Sequence, residues 1–219
     1  MMLKIDLHVH TKYSPDCRVS LKKILMICQK RGLNGIGVTD HNTIEGALRL
    51  KEIAPDGFFV IVGEEINTTK GEITGLFVKR QISDGLSPEE TIEKIREQGG
   101  LVYIPHPFAR FRKSTIKVDR LEKIWREVDI IEVFNSRNIF SKDNEKALQF
   151  AKSKGLLYGV GSDAHTGYEV GNAYVEMNNF NSEQEFLESL KMGKLHTKKS
   201  PILVHGITKI LKIVKKIKQ

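Results

Sequence analysis

The first strand-like segment, residues 3–9, alternates apolar and polar side chains, and Asp6, His8 and His10 fall on the polar positions. A period of two is typical of a β-strand with one apolar face, so these three side chains share the other face. Two histidines at i and i+2 beside a carboxylate are typical of a partial set of metal ligands, which residues elsewhere in the chain would complete. The same pattern would also suit the polar edge of a surface strand.

Further along the chain, apolar strand-like segments alternate with helical patterns. The predicted strands span residues 35–39, 58–62, 73–78, 101–104, 130–134, 157–160 and 173–176. The predicted helices span residues 20–30, 43–53, 119–127 and 142–154, and two more open at the capping sequences 87–90 and 182–185. Repeated strand-helix-strand units predict one α/β domain, with a parallel sheet that is either doubly wound or closed as a barrel.

The composition of the 219-residue chain agrees with a single globular domain. It is 40% hydrophobic and 28% charged, which excludes disordered and fibrous classes. The sequence contains neither an apolar run long enough to span a bilayer nor a signal-peptide pattern. Its two cysteines, Cys17 and Cys28, are too few for a disulfide framework. These features predict a soluble, cytoplasmic protein.

The net charge of +8 is concentrated at the C-terminal end. From Ser189 onward there are nine lysines and no acidic residue, so residues 1–188 carry a net charge of −1. Residues 201–219 are predicted to form a basic amphipathic helix that packs on, or extends from, a domain of residues 1–200. Its apolar arc comprises Ile207, Ile210, Leu211, Val214 and Ile217. The lysines opposite this arc are either solvated or contact RNA or an anionic membrane surface.

Potential metal ligands follow nearly every predicted strand. In chain order they are His8 and His10, Asp40 and His41, Glu64 and Glu65, His106, Glu132 and Asn135, and Asp163 and His165. Ligands gather at the carboxyl ends of the strands in parallel α/β folds. The pattern therefore predicts a site for more than one metal ion.

Six short motifs carry a resemblance to a known family. They are DLHVHT, VTDHNT, GEEI, IPHP, IEVFNS and GSDAHT, in this order from Asp6 to Thr166. Together they resemble the successive motifs of the PHP (polymerase and histidinol phosphatase) family. The resemblance implies a distorted TIM-like barrel of about seven β/α units, a site for two or three divalent ions such as Zn, Mn or Fe, and hydrolysis of phosphate esters.

The resemblance also implies roles for individual residues. His8, His10, Glu65 and Asp163 would hold the first metal, and Asp16, His41 and His165 the third. Glu65 would bridge to a second metal that His106 completes; Glu65 is preferred to Glu64 by the family's G-x-E pattern. Many relatives carry a histidine about seven residues after the bridging glutamate, where this chain has Glu72. That carboxylate either replaces the imidazole or weakens the second site.

Other residues are candidates for supporting roles in phosphoester hydrolysis. The reaction needs a metal-activated water and positive charge to offset the charge on the phosphoryl oxygens. Asp6, Asp40 and Asn135 would orient ligands or substrate, although Asp40 and Asn135 are equally suited to turn capping. Arg110, Arg112 and Arg137 would bind phosphate, and an aromatic ring of the FARFRKS loop could stack on a base; a solvated basic loop is the alternative.

Two other functions remain open at this point. A metal-dependent amidohydrolase also places H-x-H at the end of the first strand of a β/α barrel, but the DAH motif and the early His41 favour phosphoesters. A non-catalytic RNA-binding scaffold would use the basic tail but would not need the metal ligands. The expected substrate is a small phosphorylated molecule, a nucleotide or the end of a nucleic acid.

Overall fold

A computed structural model describes residues 2–204, 206 and 208 of the chain. Its strands are β1 (Met2–Val9), β2 (Gly35–Val38), β3 (Phe59–Thr68), β4 (Gly71–Leu76), β5 (Leu101–Ile104), β6 (Ile130–Asn135), β7 (Leu157–Gly161), β8 (Ala173–Asn178) and β9 (Lys194–Thr197). Its helices are α1 (Leu21–Arg31), α2 (Glu45–Ile53), α3 (Pro88–Arg96), α4 (Val118–Ile124), α5 (Ser141–Lys154) and α6 (Glu183–Lys191), and a 3₁₀ turn, Trp125–Glu127, follows α4.

Local sequence signals set the helix boundaries. Ser87 and Glu90 form the predicted capping box at the start of α3, with Pro88 in the first turn. Ser20 caps α1, which ends at Gly32 in a left-handed conformation with φ of 65°. The predicted helices are therefore confirmed to within a few residues at their ends.

The nine strands form one sheet in the order β7-β6-β5-β4-β3-β2-β1-β8-β9. The sheet curls until the end of β7 meets the end of β1. The amide of Asp163 donates to the carbonyl of His8 at 2.8 Å, and the amide of His10 donates to the carbonyl of Ala164 at 3.0 Å. Strands β1 to β7 thus form a nearly closed barrel, which confirms the predicted single-domain α/β barrel.

Two features of the sheet differ from a simple repeat of parallel β/α units. Strand β4 runs antiparallel to both β3 and β5, because the β3–β4 connection is a tight hairpin around Gly71 and has no room for a helix. Strand β9 extends the sheet beyond β8, and sequence patterning missed it. Its four residues, KLHT, are too few to show a clear alternation.

Both faces of β1 are buried. The apolar side chains Ile5, Leu7 and Val9 lie in the core, and His8 and His10 are just as fully enclosed inside the barrel. The polar face of the first strand is therefore the floor of an interior site and not a surface edge.

The predicted basic helix of residues 201–219 lies largely outside the described residues. Cys17 and Cys28 are buried free thiols. Within the described part of the chain, no helix combines the length and the apolar character needed to cross a lipid bilayer.

Candidate metal centre

Histidines and carboxylates from several strand ends converge inside the carboxyl end of the barrel. His8 lies on β1 and His10 directly follows it, Glu65 lies on β3, and His106 and Asp163 lie in the segments that follow β5 and β7. All five side chains are fully buried. Buried groups of this kind are stable only when they are paired or bind a metal.

The four residues expected to hold the first metal lie together. The Nε2 atoms of His8 and His10 are 3.1 Å apart. His8 Nε2 lies 3.5 Å from Glu65 Oε1 and 3.7 Å from Asp163 Oδ1. His10 Nε2 lies 3.4 Å from Glu65 Oε2 and 3.4 Å from Asp163 Oδ1. These donor atoms surround one small volume.

The residues expected at the second metal also meet. His106 Nε2 lies 3.0 Å from Glu65 Oε1 and 3.6 Å from Glu72 Oε2. Strand β4 runs opposite to β3 and β5, so it begins at the end of the barrel where those two strands finish. Glu72, its second residue, therefore reaches this point. Glu65 belongs to the first and the second group, as a bridging ligand would.

The third group lies nearer the opening of the barrel. His165 Nε2 is 3.2 Å from Asp16 Oδ1, and His41 Nε2 is 3.7 Å from Asp16 Oδ2. His41 Nδ1 is 3.0 Å from Glu65 Oε2. The third group is therefore adjacent to the carboxylate that the other two groups share.

The donor atoms fit divalent cations. Among residues 2–204, 206 and 208, four overlapping groups have donor atoms within 4.8 Å of one another: His10 with His41 and His165, His8 with His106 and Asp163, His8 with His10 and Glu65, and His41 with Glu65 and Glu72. Glu65 Oε2, Glu72 Oε2 and Asp163 Oδ1 are buried and accept no aligned hydrogen bond from the described residues. Mixed imidazole and carboxylate donors suit Zn, Mn or Fe.

Backbone strain marks two of these positions. His106 has a φ of 32° and Asp163 a φ of 51°, in the left-handed region that non-glycine residues rarely adopt. Each conformation costs of order 1–3 kcal/mol and persists only where surrounding structure enforces it. The strain directs both side chains into the barrel.

Two carboxylates of the centre have pKa values well below the ordinary range, and a third has a raised pKa. Burial alone would raise the pKa of Asp163, but the Arg112 guanidinium and His8 bring it well below its ordinary value. The pKa of Glu65 is likewise low despite burial, because His8 and His41 lie beside it. Burial and the charge of Glu65 raise the pKa of Glu72.

His8, His10, His41 and His165 fall into two classes by the direction of their pKa shifts. Burial and the neighbouring His165 and His41 lower the pKa of His10 to about 3. Burial and Arg137 lower the pKa of His165. Carboxylates outweigh burial at His8 and His41 and raise both pKa values. A cation among these carboxylates would compete with the protons on His8 and His41, since a metal binds only the neutral imidazole.

Glu132 organises the floor of the centre. Its Oε1 accepts hydrogen bonds from His8 Nδ1 at 3.0 Å and from the Tyr103 hydroxyl at 2.9 Å. Its Oε2 accepts from the amide of His106 at 2.6 Å and from Asn135 Nδ2 at 2.9 Å. Asn135 also donates to Asp163 Oδ2 at 3.2 Å. Glu132 and Asn135 thus hold His8, His106 and Asp163 in place, and neither belongs to a donor group found among the described residues.

The two aspartates predicted to orient ligands act on the backbone and through a serine. Asp6 accepts from the amides of Ser162 at 2.9 Å and Gly171 at 2.8 Å, which fixes the loop that carries Asp163. Asp40 accepts from the hydroxyl of Ser14 at 2.7 Å, and that hydroxyl contacts His10 Nδ1 at 2.9 Å. Asp40 therefore positions His10 indirectly.

The adjacent glutamates, Glu64 and Glu65, point to opposite sides of β3. Glu65 points into the centre, whereas Glu64 points to the other side of β3 and accepts from the amide of Ile82 at 2.8 Å. Burial raises the pKa of Glu64 to about 7.

A cavity of about 370 Å³ opens above the centre, and two of the three predicted arginines line it. Arg112 forms an ion pair with Asp163. Arg137 lies 3.2 Å from Glu169 Oε1 through Nε and donates to Thr208 Oγ1 at 2.7 Å through Nη2. The third, Arg110, lies in a neighbouring cavity instead, where Nε donates to Asp143 Oδ1 at 2.8 Å.

Several supporting residues were not identified from sequence patterns. Glu169 accepts from the amides of His165 at 3.2 Å and Thr166 at 3.0 Å, and the Thr166-to-Glu169 spacing is a capping signal that could have indicated it. Tyr103 could have been noticed as the one polar group within the apolar run LVYI. The contact of Thr208 with Arg137 has no local sequence signal.

Two curated relatives come from Methanocaldococcus jannaschii. The uncharacterized protein MJ0417 is 38% identical over 201 residues, which cover 87% of this chain and 80% of the relative. The uncharacterized protein MJ1587 is 44% identical over 145 residues, covering 61% of this chain and 82% of the relative.

Solved structures share the fold at 18% sequence identity. PsfC from Pseudomonas syringae PB-5123 has a TM-score of 0.72, with 97% of this chain and 98% of that chain covered. A two-domain protein from Bacteroides vulgatus that contains a predicted PHP-like metal-dependent phosphoesterase has a TM-score of 0.71. The match covers 90% of this chain and 65% of the Bacteroides chain. The lesion-specific endonuclease PfuEndoQ from Pyrococcus furiosus has a TM-score of 0.67, with 89% and 58% covered.

A family model described as PHP-associated matches residues 141–195, from α5 into β9. This match, the barrel shared with PHP-like structures and the extended similarity to the two archaeal relatives agree with one another. The chain belongs to the PHP-domain family.

Proposed function

We propose that this protein hydrolyses phosphate esters with two or three divalent ions, Zn, Mn or Fe, bound inside the barrel. The observation that carries the proposal is the sharing of donors between neighbouring groups. Glu65 belongs both to the group with His8 and His10 and to the group with His41 and Glu72. Ions held by such groups would lie side by side at the base of an open cavity, as in two-metal hydrolases.

Each proposed ion has a set of side chains ready to hold it. His8, His10, Glu65 and Asp163 would bind the first, Glu65, Glu72 and His106 the second, and Asp16, His41 and His165 the third. Bound divalent ions would neutralise the charge on phosphoryl oxygens and would lower the pKa of a bound water to near neutrality.

The protein itself contributes positive charge and orientation. Arg112 and Arg137 line the same cavity as Asp16, His41 and His165, so an anionic group at the metal centre meets two guanidinium groups. Asn135 holds Asp163, and Glu132 holds His8 and the backbone of His106, so these ligand directions are fixed before substrate binds.

The arginines favour phosphoesters over amides. A neutral amide gains little from two guanidinium groups, whereas a phosphate can accept several charge-assisted hydrogen bonds. The similarity to a Pyrococcus furiosus endonuclease supports a nucleotide or a nucleic-acid end among the candidate substrates.

The proposal is tested with p-nitrophenyl phosphate and bis(p-nitrophenyl) phosphate. The full-length protein is assayed after chelation and after reconstitution with Mn or Zn. We expect turnover only with metal, and a loss of at least a hundredfold in the His165→Ala variant. The preference between the two substrates would separate monoesterase from diesterase activity.

A matched histidine elsewhere provides the control. His196 on β9 pairs with Glu176 at 2.8 Å, away from the barrel interior, so His196→Ala should retain activity. A folded, metal-loaded protein that hydrolyses neither ester would contradict the proposal.

A further inference from the structure

A second cavity of about 140 Å³ lies beside the metal-site cavity. Arg112 and Arg137 line both cavities, so the two spaces adjoin at these two residues. A phosphate held by these arginines would therefore have one side toward the metal centre and the other toward the second cavity.

The wall of the second cavity carries unusually exposed aromatic surface. Phe111 is 75% exposed and Phe140 39% exposed, and their ring centroids are 5.6 Å apart. The Arg110 guanidinium lies 4.4 Å from the centroid of the Phe140 ring, and Asp143 holds it there through Nε. An exposed phenylalanine beside a guanidinium stacked on a second ring presents flat surfaces to a planar ligand.

A buried hydrogen-bond acceptor belongs to the same wall. Asn138 lines the cavity and is 5% exposed, and its Oδ1 has no hydrogen-bond partner within the described part of the chain. Neighbouring bonds fix the orientation of its amide. Asn138 Nδ2 donates to Asn144 Oδ1 at 2.7 Å. That oxygen also accepts from the backbone N–H of Asn135 at 3.1 Å, which cannot change its role as a donor. Asn138 must therefore present oxygen, which calls for a ligand with an N–H donor.

We propose that the second cavity binds the nucleobase of a nucleotide whose phosphate lies at the metal centre, with the base stacked on Phe111. A nucleobase combines the required properties: it is planar, it carries N–H donors, and it is joined through a sugar to a phosphate. This inference rests on the proposed phosphoesterase function and specifies its substrate class.

Two phosphate monoesters, one with a base and one without, test the proposal. The Mn-loaded, full-length protein is assayed with adenosine 5'-monophosphate and with ribose 5-phosphate. We expect kcat/KM to be higher for the nucleotide. In Phe111→Ala the ratio of the two kcat/KM values should fall roughly five- to a hundredfold, the range for loss of one base–aromatic stack.

Two further variants separate stacking from general damage. Phe111→Tyr keeps the flat ring and should retain the parental ratio. Tyr168→Ala removes another exposed ring, on the β7–β8 connection, and should also retain it. A parental ratio near one, or the same ratio in Phe111→Ala as in the parent, would overturn the proposal.

The contribution of Asn138 is tested with a nucleotide that lacks one donor. Purine riboside 5'-monophosphate differs from adenosine 5'-monophosphate by the loss of the exocyclic amino group. If Asn138 accepts from that group, the analogue should react at least fivefold less efficiently. Equal efficiency would refute this contact.

Binding measurements distinguish failure of the subsite from failure of the proposed function. Isothermal titration of the same protein with the two phosphates needs no turnover. Tighter binding of the nucleotide, lost in Phe111→Ala, would support the subsite even if no ester were hydrolysed. Equal affinities for the nucleotide and ribose 5-phosphate would refute the subsite, whether or not esters are hydrolysed. A 5'-phosphorylated trinucleotide, compared with the mononucleotide, shows whether the base belongs to a free nucleotide or to a strand end.

Discussion

Replacement of Glu132 by glutamine is the sharpest test of how the barrel floor prepares the metal centre. The carboxylate accepts from His8 Nδ1 and Tyr103 on one oxygen, and from the His106 amide and Asn135 on the other. Glutamine keeps the shape but supplies only one acceptor oxygen. Because the backbone N–H of His106 cannot change, we expect the glutamine oxygen to face it.

The amide NH₂ of the new side chain then faces His8 Nδ1. To accept from it, His8 must carry its proton on Nε2, the nitrogen that faces His10, Glu65 and Asp163. The substitution therefore removes the lone pair that would bind a metal. Loss of an orienting partner of this kind typically lowers metal affinity about 10- to 100-fold. The two hydrogen bonds that stay on the glutamine oxygen lose their charge assistance, and those with His8 and Tyr103 reverse direction. We expect the protein to lose about 2–3 kcal/mol of unfolding free energy.

Metal affinity is measured by competition with a chromophoric chelator, and stability by urea denaturation. Tyr103→Phe is the control, because it removes one hydrogen bond but keeps the carboxylate and the His8 tautomer. Its metal affinity should change less than that of Glu132→Gln. If folded Glu132→Gln binds Zn or Mn as tightly as the parent, the tautomer argument is refuted.

Three further outcomes can be measured by denaturation. In Gly161→Ala the added Cβ would lie 2.5 Å from Glu132 Oε1, so we expect a loss of about 1–3 kcal/mol in unfolding free energy; an unchanged urea midpoint would contradict this. Burial raises the pKa of Glu64 from 4.5 to about 7. As the pH rises, the glutamate therefore ionises first in the unfolded state. The parent should lose up to about 3 kcal/mol of unfolding free energy between pH 4.5 and about pH 7. Glu64→Gln, which stays neutral, should avoid this loss, whereas exposed Glu145→Gln should follow the parent; parallel pH profiles for parent and Glu64→Gln would exclude the mechanism. Ser87→Ala removes the cap of α3 and should cost about 1 kcal/mol, so a midpoint equal to that of the parent would show that the cap is dispensable.

Much of the barrel was predictable because local patterns and tertiary structure agree. The alternation in β1 identifies the face that carries His8 and His10, and the capping sequence at Ser87 sets the start of α3. The direction of β4 was not predictable, since the side-chain pattern of a six-residue strand does not reveal which way it runs. Direction depends on the hairpin at Gly71, which only the pairing with β3 reveals.

The same distinction applies to the candidate site. Strand-end positions indicated the groups that now lie around Glu65, because parallel strands bring their carboxyl ends together. The sequence could not predict which cavity each arginine faces. Arg110 and Arg112 are two residues apart in one loop, and the contacts with Asp143 and the Phe140 ring hold Arg110 in the second cavity.

The seam between β1 and the segment after β7 has a consequence for the order of folding. Backbone hydrogen bonds of His8 and His10 with Asp163 and Ala164 join positions more than 150 residues apart in sequence. Contacts with such long loops form late, because their closure entropy is repaid only once the intervening strands are in place. The side chains of His8, His10 and Asp163 face each other across this seam, so a bound ion would act as a cross-link between the first and last barrel strands. We expect metal to slow unfolding far more than it speeds folding, and amide hydrogens along the seam to exchange last in the loaded protein.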